Sequence, residues 1–244
     1  MMKIILYNCG LQLLSSLPKQ SLQHPSIASD LKKRKKTSGL ILLDFSLHQE
    51  AIPENLKENI GRPEIVHHSI VNYLYSSIMP LYGKKIEFII HTIDNKYFTV
   101  LNHWNPPLSF NRFRGLMEHL LTKGILKTNA GLIKLKSGTL KDILKLQKDD
   151  IVSKKIVALT KYGNKTTFID FQQKVLQFIN SEIEYNLLIG GYQKGPNPKQ
   201  IDDFIDEKIA LTDEKLPSFR LINLLTSSLE FSGHFNENYD FNIK

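Results

Sequence analysis

Cysteine is almost absent from this sequence of 244 residues, in which Cys9 stands alone. A single thiol can form neither a disulfide framework nor a zinc site of several thiolates, so the sequence predicts a protein of a reducing compartment such as the cytoplasm. Long hydrophobic runs are missing as well. No segment approaches the roughly 20 apolar residues that cross a bilayer, and the apolar stretch before Cys9 is too short for a secretory signal. We therefore expect a soluble protein without a membrane partner.

Acidic residues are fewer than basic ones, with 24 Asp and Glu against 32 Lys and Arg and a net charge of +8. This excess favours nucleic acid or an anionic membrane surface as a partner, although a lysine-rich proteome would also produce it. The densest basic segment, "DLKKRKKTSG" at residues 30–39, has two open interpretations. It is either the solvated end of a helix or a patch that contacts phosphates.

The known phosphate-binding loops are also missing. In "LLIGGYQKGPNPKQ", Gly190 and Gly195 have the spacing of the G-x-x-x-x-G-K-[ST] pattern. Pro196 stands where that pattern needs its lysine, and Asn197 stands where it needs the hydroxyl that binds magnesium. G-x-G-x-x-G does not occur either. The glycine-rich turn therefore serves a ligand other than a nucleotide's phosphate tail.

Short β-rich runs alternate with helical patterns, which predicts an α/β fold with a mostly parallel sheet. Most of these runs are continuously apolar, as expected for strands covered on both faces. The predicted strands are residues 3–7, 40–45, 85–91, 97–101, 155–160, 185–189 and 208–211. One predicted helix begins at Pro63 in "RPEIVHHSIVNYLYSS". Three others cover residues 110–123, 172–180 and 219–231. We expect one domain over residues 1–231 and a flexible tail over residues 232–244.

Adjacent histidines and a lone tryptophan invite functional interpretations. His67 and His68 diverge on a helix and belong to no H-E-x-x-H pattern, so we expect one packed histidine, one exposed histidine and no metal site. Trp104, before the turn at Asn105, is expected to be exposed and able to stack on a base. Phe110 is expected to pack beneath its helix.

Three separated blocks of sequence carry a specific resemblance. They are "HPSIASDLKKRKKTSGLILLDFSLHQEAI"; "GRPEIVHHSIVNYL" with "IEFIIHT" and "FNRFRGLMEHLL"; and "LLIGGYQKG" with "EKIALTDEKLP". Together they resemble the archaeal and eukaryotic small-subunit rRNA pseudouridine N1-methyltransferases of the SPOUT class. The resemblance implies an α/β domain with a family-specific β-α insertion and a C-terminal trefoil knot at about residues 155–231, working as a homodimer in small-subunit biogenesis. It implies a cytoplasmic protein in an archaeon and a nucleolar one in a eukaryote.

The resemblance also implies where S-adenosylmethionine binds. In this family the cofactor lies against loops of the knot and is held largely by main-chain groups, for which glycines allow close approach and positive φ. The corresponding positions in this sequence are Thr160, Gly190, Gly195, Leu211, Thr212, Asp213, Glu214, Lys215 and Leu216.

RNA contacts are implied at a second set of positions. Arg62 and Arg112 match arginines of the family, and Glu64 replaces its usual aspartate. Two further RNA-contacting arginines fall on Asn105 and Leu108, so two charge-assisted phosphate contacts are missing. Arg114 and the basic segment at residues 32–36 can compensate electrostatically.

Methylation of pseudouridine at N1 requires that this nitrogen lose its proton. A carboxylate or a water near the flipped base can accept it, and Glu64 and Asp44 are the candidate carboxylates, although their spacing decides nothing. Three other functions remain open. They are a non-catalytic RNA-binding assembly factor, a SPOUT methyltransferase of a different RNA, and an α/β enzyme acting on a small molecule.

Overall fold

The computed structural model describes residues 1–78, 82–145, 154–192 and 202–231. Nine strands and eight helices of four residues or more lie in these ranges. The strands are β1 (Met2–Cys9), β2 (Ile86–Thr92), β3 (Lys96–Val100), β4 (Ile125–Thr128), β5 (Gly131–Lys134), β6 (Lys136–Ser137), β7 (Lys154–Lys165), β8 (Glu184–Gly190) and β9 (Glu207–Ala210). The helices are α1 (Lys19–Leu22), α2 (Pro25–Arg34), α3 (Phe45–His48), α4 (Pro63–Leu74), α5 (Phe110–Lys123), α6 (Leu140–Ile143), α7 (Phe168–Asn180) and α8 (Ser218–Glu230).

Seven of the strands form one sheet in the order β6-β3-β2-β1-β8-β7-β9. The five strands from β2 to β9 in this order are parallel, and β3 and β6 add an antiparallel edge. β4 and β5 form a separate antiparallel hairpin. The predicted α/β fold with a mostly parallel sheet is confirmed. Because β1 pairs with β2 on one side and β8 on the other, segments far apart in the sequence are neighbours in one sheet.

The strand β1 shows why the central runs are continuously apolar. Ile4 and Leu6 point into the core on one face of the sheet, whereas Ile5 and Tyr7 point into the core on the other. Successive side chains of a strand alternate between its faces, so a strand covered on both sides is apolar at most positions. The buried Lys3 of β1 is an exception, and its ammonium pairs with Glu184 at 2.8 Å. Helices α4, α5, α7 and α8 cover the first face, and α6 covers the second.

The four predicted helices are confirmed, and local signals explain their ends. Pro63 occupies the first turn of α4, where its fixed φ suits a helix and its missing N–H costs nothing. Gly124 ends α5 with φ +73°, in the left-handed region that glycine adopts easily. α7 begins four residues before the predicted position, because the Thr167 side chain accepts a hydrogen bond from the backbone N–H of Asp170 at 3.1 Å.

The predicted strand at residues 40–45 is wrong. Leu42 forms only an isolated bridge with Leu13, and α3 begins at Phe45. Asp44 caps this helix by accepting a hydrogen bond from the Ser46 N–H at 3.0 Å. The segment is apolar because Ile41, Leu42 and Leu43 are fully buried, and periodicity alone cannot separate a buried strand from a buried irregular segment.

Some predictions fall outside these observations. Residues 232–244, predicted as a tail, lie outside the described residues, and the threading of residues 155–231 into a knot stays a prediction. Within the described part of the chain, no helix combines the length and apolar character needed to cross a membrane.

Candidate functional site

A cavity of about 830 Å³ opens beside the carboxyl ends of β7, β8 and β9. Open α/β sheets bind ligands at this edge, where the loops that follow the strands converge. Seven of the predicted cofactor residues line the cavity: Thr160, Gly190, Leu211, Thr212, Glu214, Lys215 and Leu216. Asp213 lies in the same loop but is not in the wall, and its exposed carboxylate pairs with Lys165 at 2.6 Å. Gly195 lies outside the described residues.

An irregular section of β7 forms one side of this cavity. Both Leu159 and Asn164 pair with Ile209 of β9, so residues 160–163 leave the ladder and then rejoin it. Gly163 makes this return possible, because a Cβ there would lie 2.5 Å from the main-chain carbonyl carbon of Lys208. The excursion places residues 160–162 in the cavity wall.

Gly190 ends β8 at the back of the cavity, where its Cβ would lie 2.9 Å from the ring of Tyr192. The positive φ expected at Gly190 is not found, and close packing explains the glycine instead. The Tyr192 hydroxyl lies 3.2 Å from that of Tyr7, and burial raises the pKa of both phenols, which therefore stay neutral. The Ser218 hydroxyl donates to the Gly190 carbonyl and joins the start of α8 to this wall.

The first part of α4 also contributes to the cavity wall. The guanidinium of Arg62 donates from Nε to Oε1 of Glu64 and lies 5.6 Å from the centroid of the Phe45 ring. Arg62 and Glu64 line the same cavity as the predicted cofactor residues. The structure therefore brings together residues that the sequence assigned separately to the cofactor and to RNA.

Comparisons with known proteins agree with this geometry. The sequence pattern of the EMG1/NEP1 methyltransferase family matches residues 4–230. The chain belongs to this family.

Curated relatives and a solved structure extend the match over nearly the full length. The ribosomal RNA small subunit methyltransferase Nep1 of Sulfurisphaera tokodaii is 31% identical over 92% of this chain and 94% of its own length. The corresponding protein of Thermococcus sibiricus is 29% identical over 95% of this chain and 99% of its own length. A crystal structure of Archaeoglobus fulgidus Nep1 bound to S-adenosylhomocysteine superposes with a TM-score of 0.75 at 23% identity, covering 94% of this chain and 97% of that one. The predicted resemblance to small-subunit rRNA methyltransferases is thus confirmed, and the specificity for N1 of a pseudouridine stays a prediction.

In this member of the EMG1/NEP1 family, the two candidate proton acceptors occupy different places. Glu64 lines the cavity, whereas Asp44 does not. The carboxylate of Asp44 is buried, caps α3 at Ser46 and lies 3.6 Å from Nη1 of Arg114. The position of Asp44 accounts for it as a structural group, which leaves Glu64 as the preferred candidate.

The remaining predicted RNA residues lie around the start of α5 and do not line the cavity. Asn105, Leu108 and Arg112 are all exposed. The loop that carries the first two is fixed to α4, because Nε2 of His67 donates to the Pro107 carbonyl at 2.8 Å. This loop and α4 therefore form one connected surface.

The predictions for the histidines and for Phe110 of this region are confirmed, and the prediction for Trp104 is wrong. His67 is buried and His68 is exposed, as predicted, and burial lowers the pKa of His67. Phe110 packs against the core as predicted. The prediction for Trp104 is wrong, since only 4% of its surface is exposed and it belongs to the main core. A single tryptophan beside two prolines gives no periodic pattern from which its burial can be read.

The basic segment at residues 30–39 has a mixed role. Lys32, Lys33 and Lys35 are exposed, but Arg34 and Lys36 pair with the buried Glu118 of α5 at 2.6 and 3.0 Å. Burial alone would raise the pKa of Glu118, yet hydrogen bonds from these two cations hold it below its ordinary value. Part of the segment therefore anchors α2 to α5, and the exposed lysines remain available to an anionic partner.

Four aromatic residues of the cavity wall were not predicted as site residues: His68, Tyr162, Tyr192 and Phe219. Tyr162 and Tyr192 each follow a predicted cofactor residue by two positions. That spacing is a signal the sequence contains, because both residues lie just beyond the end of a predicted strand, although Tyr162 lies within β7 in the structure. No local signal identifies Phe219, which reaches the cavity through the packing of α8 on α4. No group of three or more His, Cys, Asp or Glu side chains in the described ranges could hold a metal ion.

Proposed function

We propose that this chain transfers a methyl group from S-adenosylmethionine to N1 of a pseudouridine in small-subunit ribosomal RNA. One observation carries the proposal: the segments expected to hold the cofactor and the Arg62–Glu64 pair expected to position RNA line one cavity. Membership of the EMG1/NEP1 family and the names of its relatives support the reaction and the substrate class.

The cavity suits a methyl donor held by main-chain groups. Bound S-adenosylmethionine supplies an electrophilic methyl group on its sulfonium. Thr160, Gly190 and the loop at residues 211–216 approach from the strand ends and would hold it. The Thr212 side chain is already engaged, since its hydroxyl donates to the Glu214 carbonyl at 2.9 Å. The loop therefore has a local shape of its own and can present backbone N–H and C=O groups to a ligand.

The α4 wall supplies orientation and a proton acceptor. Holding the N1 lone pair in line with the methyl group provides much of the acceleration in such a transfer. Glu64 lines the same cavity as Thr160 and Gly190 and can accept the proton that N1 releases. Arg62, over the Phe45 ring and beside Glu64, is placed to hold an RNA phosphate. Arg112 and the exposed lysines of α2 extend the cationic surface.

The wider assembly follows the family. We infer that the protein works as a homodimer, that residues 155–231 are threaded into a trefoil knot, and that it takes part in assembly of the small subunit. A protein acting on this RNA works where small subunits are assembled, in the cytoplasm of an archaeon or the nucleolus of a eukaryote.

Mass spectrometry of the RNA product tests the proposal. The purified protein is incubated with S-adenosylmethionine and small-subunit RNA that contains pseudouridine, and we expect a methyl group on a pseudouridine base. A transcript with uridine at the same site is the matched control. It cannot accept the group at N1, because that nitrogen of uridine bears the ribose.

The other outcomes separate the alternatives. Binding of the donor and of RNA without any methylation would indicate a non-catalytic assembly factor. Methylation of an RNA outside the small subunit would indicate a different substrate, and methylation of the uridine control would contradict transfer to N1.

A further inference from the structure

Two aromatic side chains from different helices meet in the wall of the cavity. His68 of α4 and Phe219 of α8 have ring centroids 5.5 Å apart and ring planes inclined by 52°. Both residues line the cavity. We call this pair the aromatic corner. It lies one helical turn beyond Glu64, because residues four apart on a helix occupy the same face.

Packing of the core does not account for His68. The neighbouring His67 is buried against Phe113, with ring centroids 4.6 Å apart, and its Nε2 donates to a carbonyl. The imidazole of His68 is exposed instead, and Phe219 is only half-buried. An exposed imidazole against a half-buried phenyl ring leaves aromatic surface open toward the cavity.

The size of the cavity leaves room for a second planar group. Its volume of about 830 Å³ lies in the upper part of the range of about 300–1,000 Å³ found for sites that hold one small molecule. The predicted cofactor residues in its wall come from β7, from the end of β8 and from the loop after β9. The start of α4 contributes Arg62, Glu64 and His68 to the wall, and α8 contributes Phe219.

We propose that the aromatic corner holds the flipped target base by stacking, with His68 as the positioning residue. The inference rests on the proposed function and adds a specificity contact to it. A base has an apolar face and a polar edge, and single-stranded RNA is commonly held by stacking such faces on aromatic rings. A base stacked on His68 would meet the inclined Phe219 ring at its side and present its polar edge toward Glu64, one turn away.

The test measures whether His68 recognises the base itself. The RNA probe is the small-subunit hairpin whose pseudouridine the mass spectrum identifies, made with and without the target base. Affinity for both forms is measured in the presence of S-adenosylhomocysteine. Loss of one stacking contact corresponds to about a 5- to 150-fold change in affinity. We expect His68→Ala to bind the complete hairpin this much more weakly and the abasic hairpin as wild type does.

Two replacements at position 68 separate stacking from hydrogen bonding. His68→Phe keeps a ring and should restore discrimination between the two hairpins, whereas His68→Gln keeps a polar group without a ring and should not. His119→Ala is the matched control, because His119 is also exposed on a helix but lies outside the cavity. Sedimentation and the affinity for S-adenosylhomocysteine should stay unchanged in every variant.

The possible failures are distinguishable. Three results would overturn the aromatic corner and leave the proposed function standing. His68→Ala could discriminate between the hairpins as wild type does, or His68→Gln could restore binding where His68→Phe does not. The third result is a change in the mass of the protein in solution caused by His68→Ala. If wild type binds and methylates no small-subunit RNA, the proposed function is overturned and the aromatic corner with it.

Discussion

Replacement of Gly190 by alanine should weaken binding of the methyl donor while leaving the fold largely intact. The new Cβ would lie 2.9 Å from two carbon atoms of the Tyr192 ring and 3.1 Å from its hydroxyl oxygen. Carbon atoms in ordinary contact are about 3.5–4.0 Å apart, so the ring must move by more than half an ångström. Since Gly190 and Tyr192 both line the cavity, this movement changes the shape of the wall where the donor is expected to bind.

The magnitude follows from what the ring loses when it moves. The Tyr192 hydroxyl lies 3.2 Å from that of Tyr7, and loss of one such hydrogen bond costs about 1 kcal/mol. Insertion of an extra methyl group into a packed site costs about 1–3 kcal/mol. Because the obstacle is the movable end of a side chain, we expect about 1 kcal/mol of lost folding stability. The displaced Tyr192 ring also changes the wall against which the donor binds, and we expect this change to lower the affinity for the donor by about 5- to 100-fold.

Gly191→Ala is the matched comparison, because it adds the same methyl group one residue later. Its Cβ would lie 2.4 Å from Sγ of Cys9 and 3.1 Å from the Tyr7 carbonyl oxygen, which accepts a hydrogen bond from the Gly191 N–H at 2.7 Å. Main-chain atoms of a central strand cannot move as a tyrosine ring can. We expect this variant to lose about 3 kcal/mol of stability, at the upper end of the cost of overpacking.

Titration calorimetry with S-adenosylhomocysteine and urea unfolding of both variants would measure the two effects separately. The reasoning is refuted if Gly190→Ala binds the ligand as wild type does, or if its stability falls as far as that of Gly191→Ala. Either result would mean that the ring of Tyr192 does not shape the donor's side of the cavity.

Three further predictions concern the core contact of α5, the arginine of the cavity wall and a helical glycine. Glu118→Gln should lower the unfolding free energy by about 2–3 kcal/mol, because the buried carboxylate accepts charged hydrogen bonds from Arg34 and Lys36. Since the pKa of Glu118 is lowered in the folded protein, its stabilisation is present above its ordinary value of 4.5 and is lost as pH falls through the lowered value. Urea titrations from pH 3 to pH 7 should therefore show a flatter profile for the variant, and equal profiles would contradict the pairing. Arg62→Ala should weaken RNA binding and reduce its dependence on salt while leaving donor affinity intact, which filter binding and calorimetry can measure; equal loss of both affinities would count against separate roles. Gly115→Ala meets no atom within 4 Å and lies inside a helix, so it should stabilise the protein by about 0.8 kcal/mol in urea unfolding, and a loss of stability would show that this glycine is constrained.

The sequence predicts the central strands of the sheet because they are buried on both faces, whereas the short strands β4, β5 and β6 were not predicted. β1, β2 and β8 each contain a run of consecutive apolar residues, at residues 4–7, 88–90 and 187–189. The run at residues 40–45 has the same composition but lies in an irregular segment, since the cap at Asp44 starts a helix before a strand can pair. An apolar run indicates that a segment is buried. Whether the buried segment is a strand depends on whether its backbone pairs with a neighbouring strand.

The resemblance predicted the residues that share the cavity wall on the side of the strands, whereas the aromatic contact was not predicted. Thr160 and Leu211 end predicted strands and Gly190 follows one, and the carboxyl ends of parallel strands converge at one edge, so these residues line one cavity. Their role in holding the cofactor stays a prediction. His68 and Phe219 lie on different helices and are 151 positions apart in the sequence. Their contact depends on the packing of α8 against α4, which leaves no trace in local sequence spacing.

The position of Arg62 shows how strongly the site depends on the core. Its backbone N–H donates to the carbonyl of Gly10 at 3.0 Å, just past the end of β1, and Gly61 accepts a hydrogen bond from the Phe45 N–H at 2.7 Å. A Cβ at Gly10 would lie 2.9 Å from the carbonyl oxygen of Asn59, so this approach of the two chain segments needs a bare residue. The guanidinium is thus fixed from its main chain by the end of the central strand and from its side chain by the Phe45 ring. Arg62 can therefore hold its position in the cavity wall without being buried. Main-chain groups of the core fix its backbone, and the Phe45 ring packs against its guanidinium.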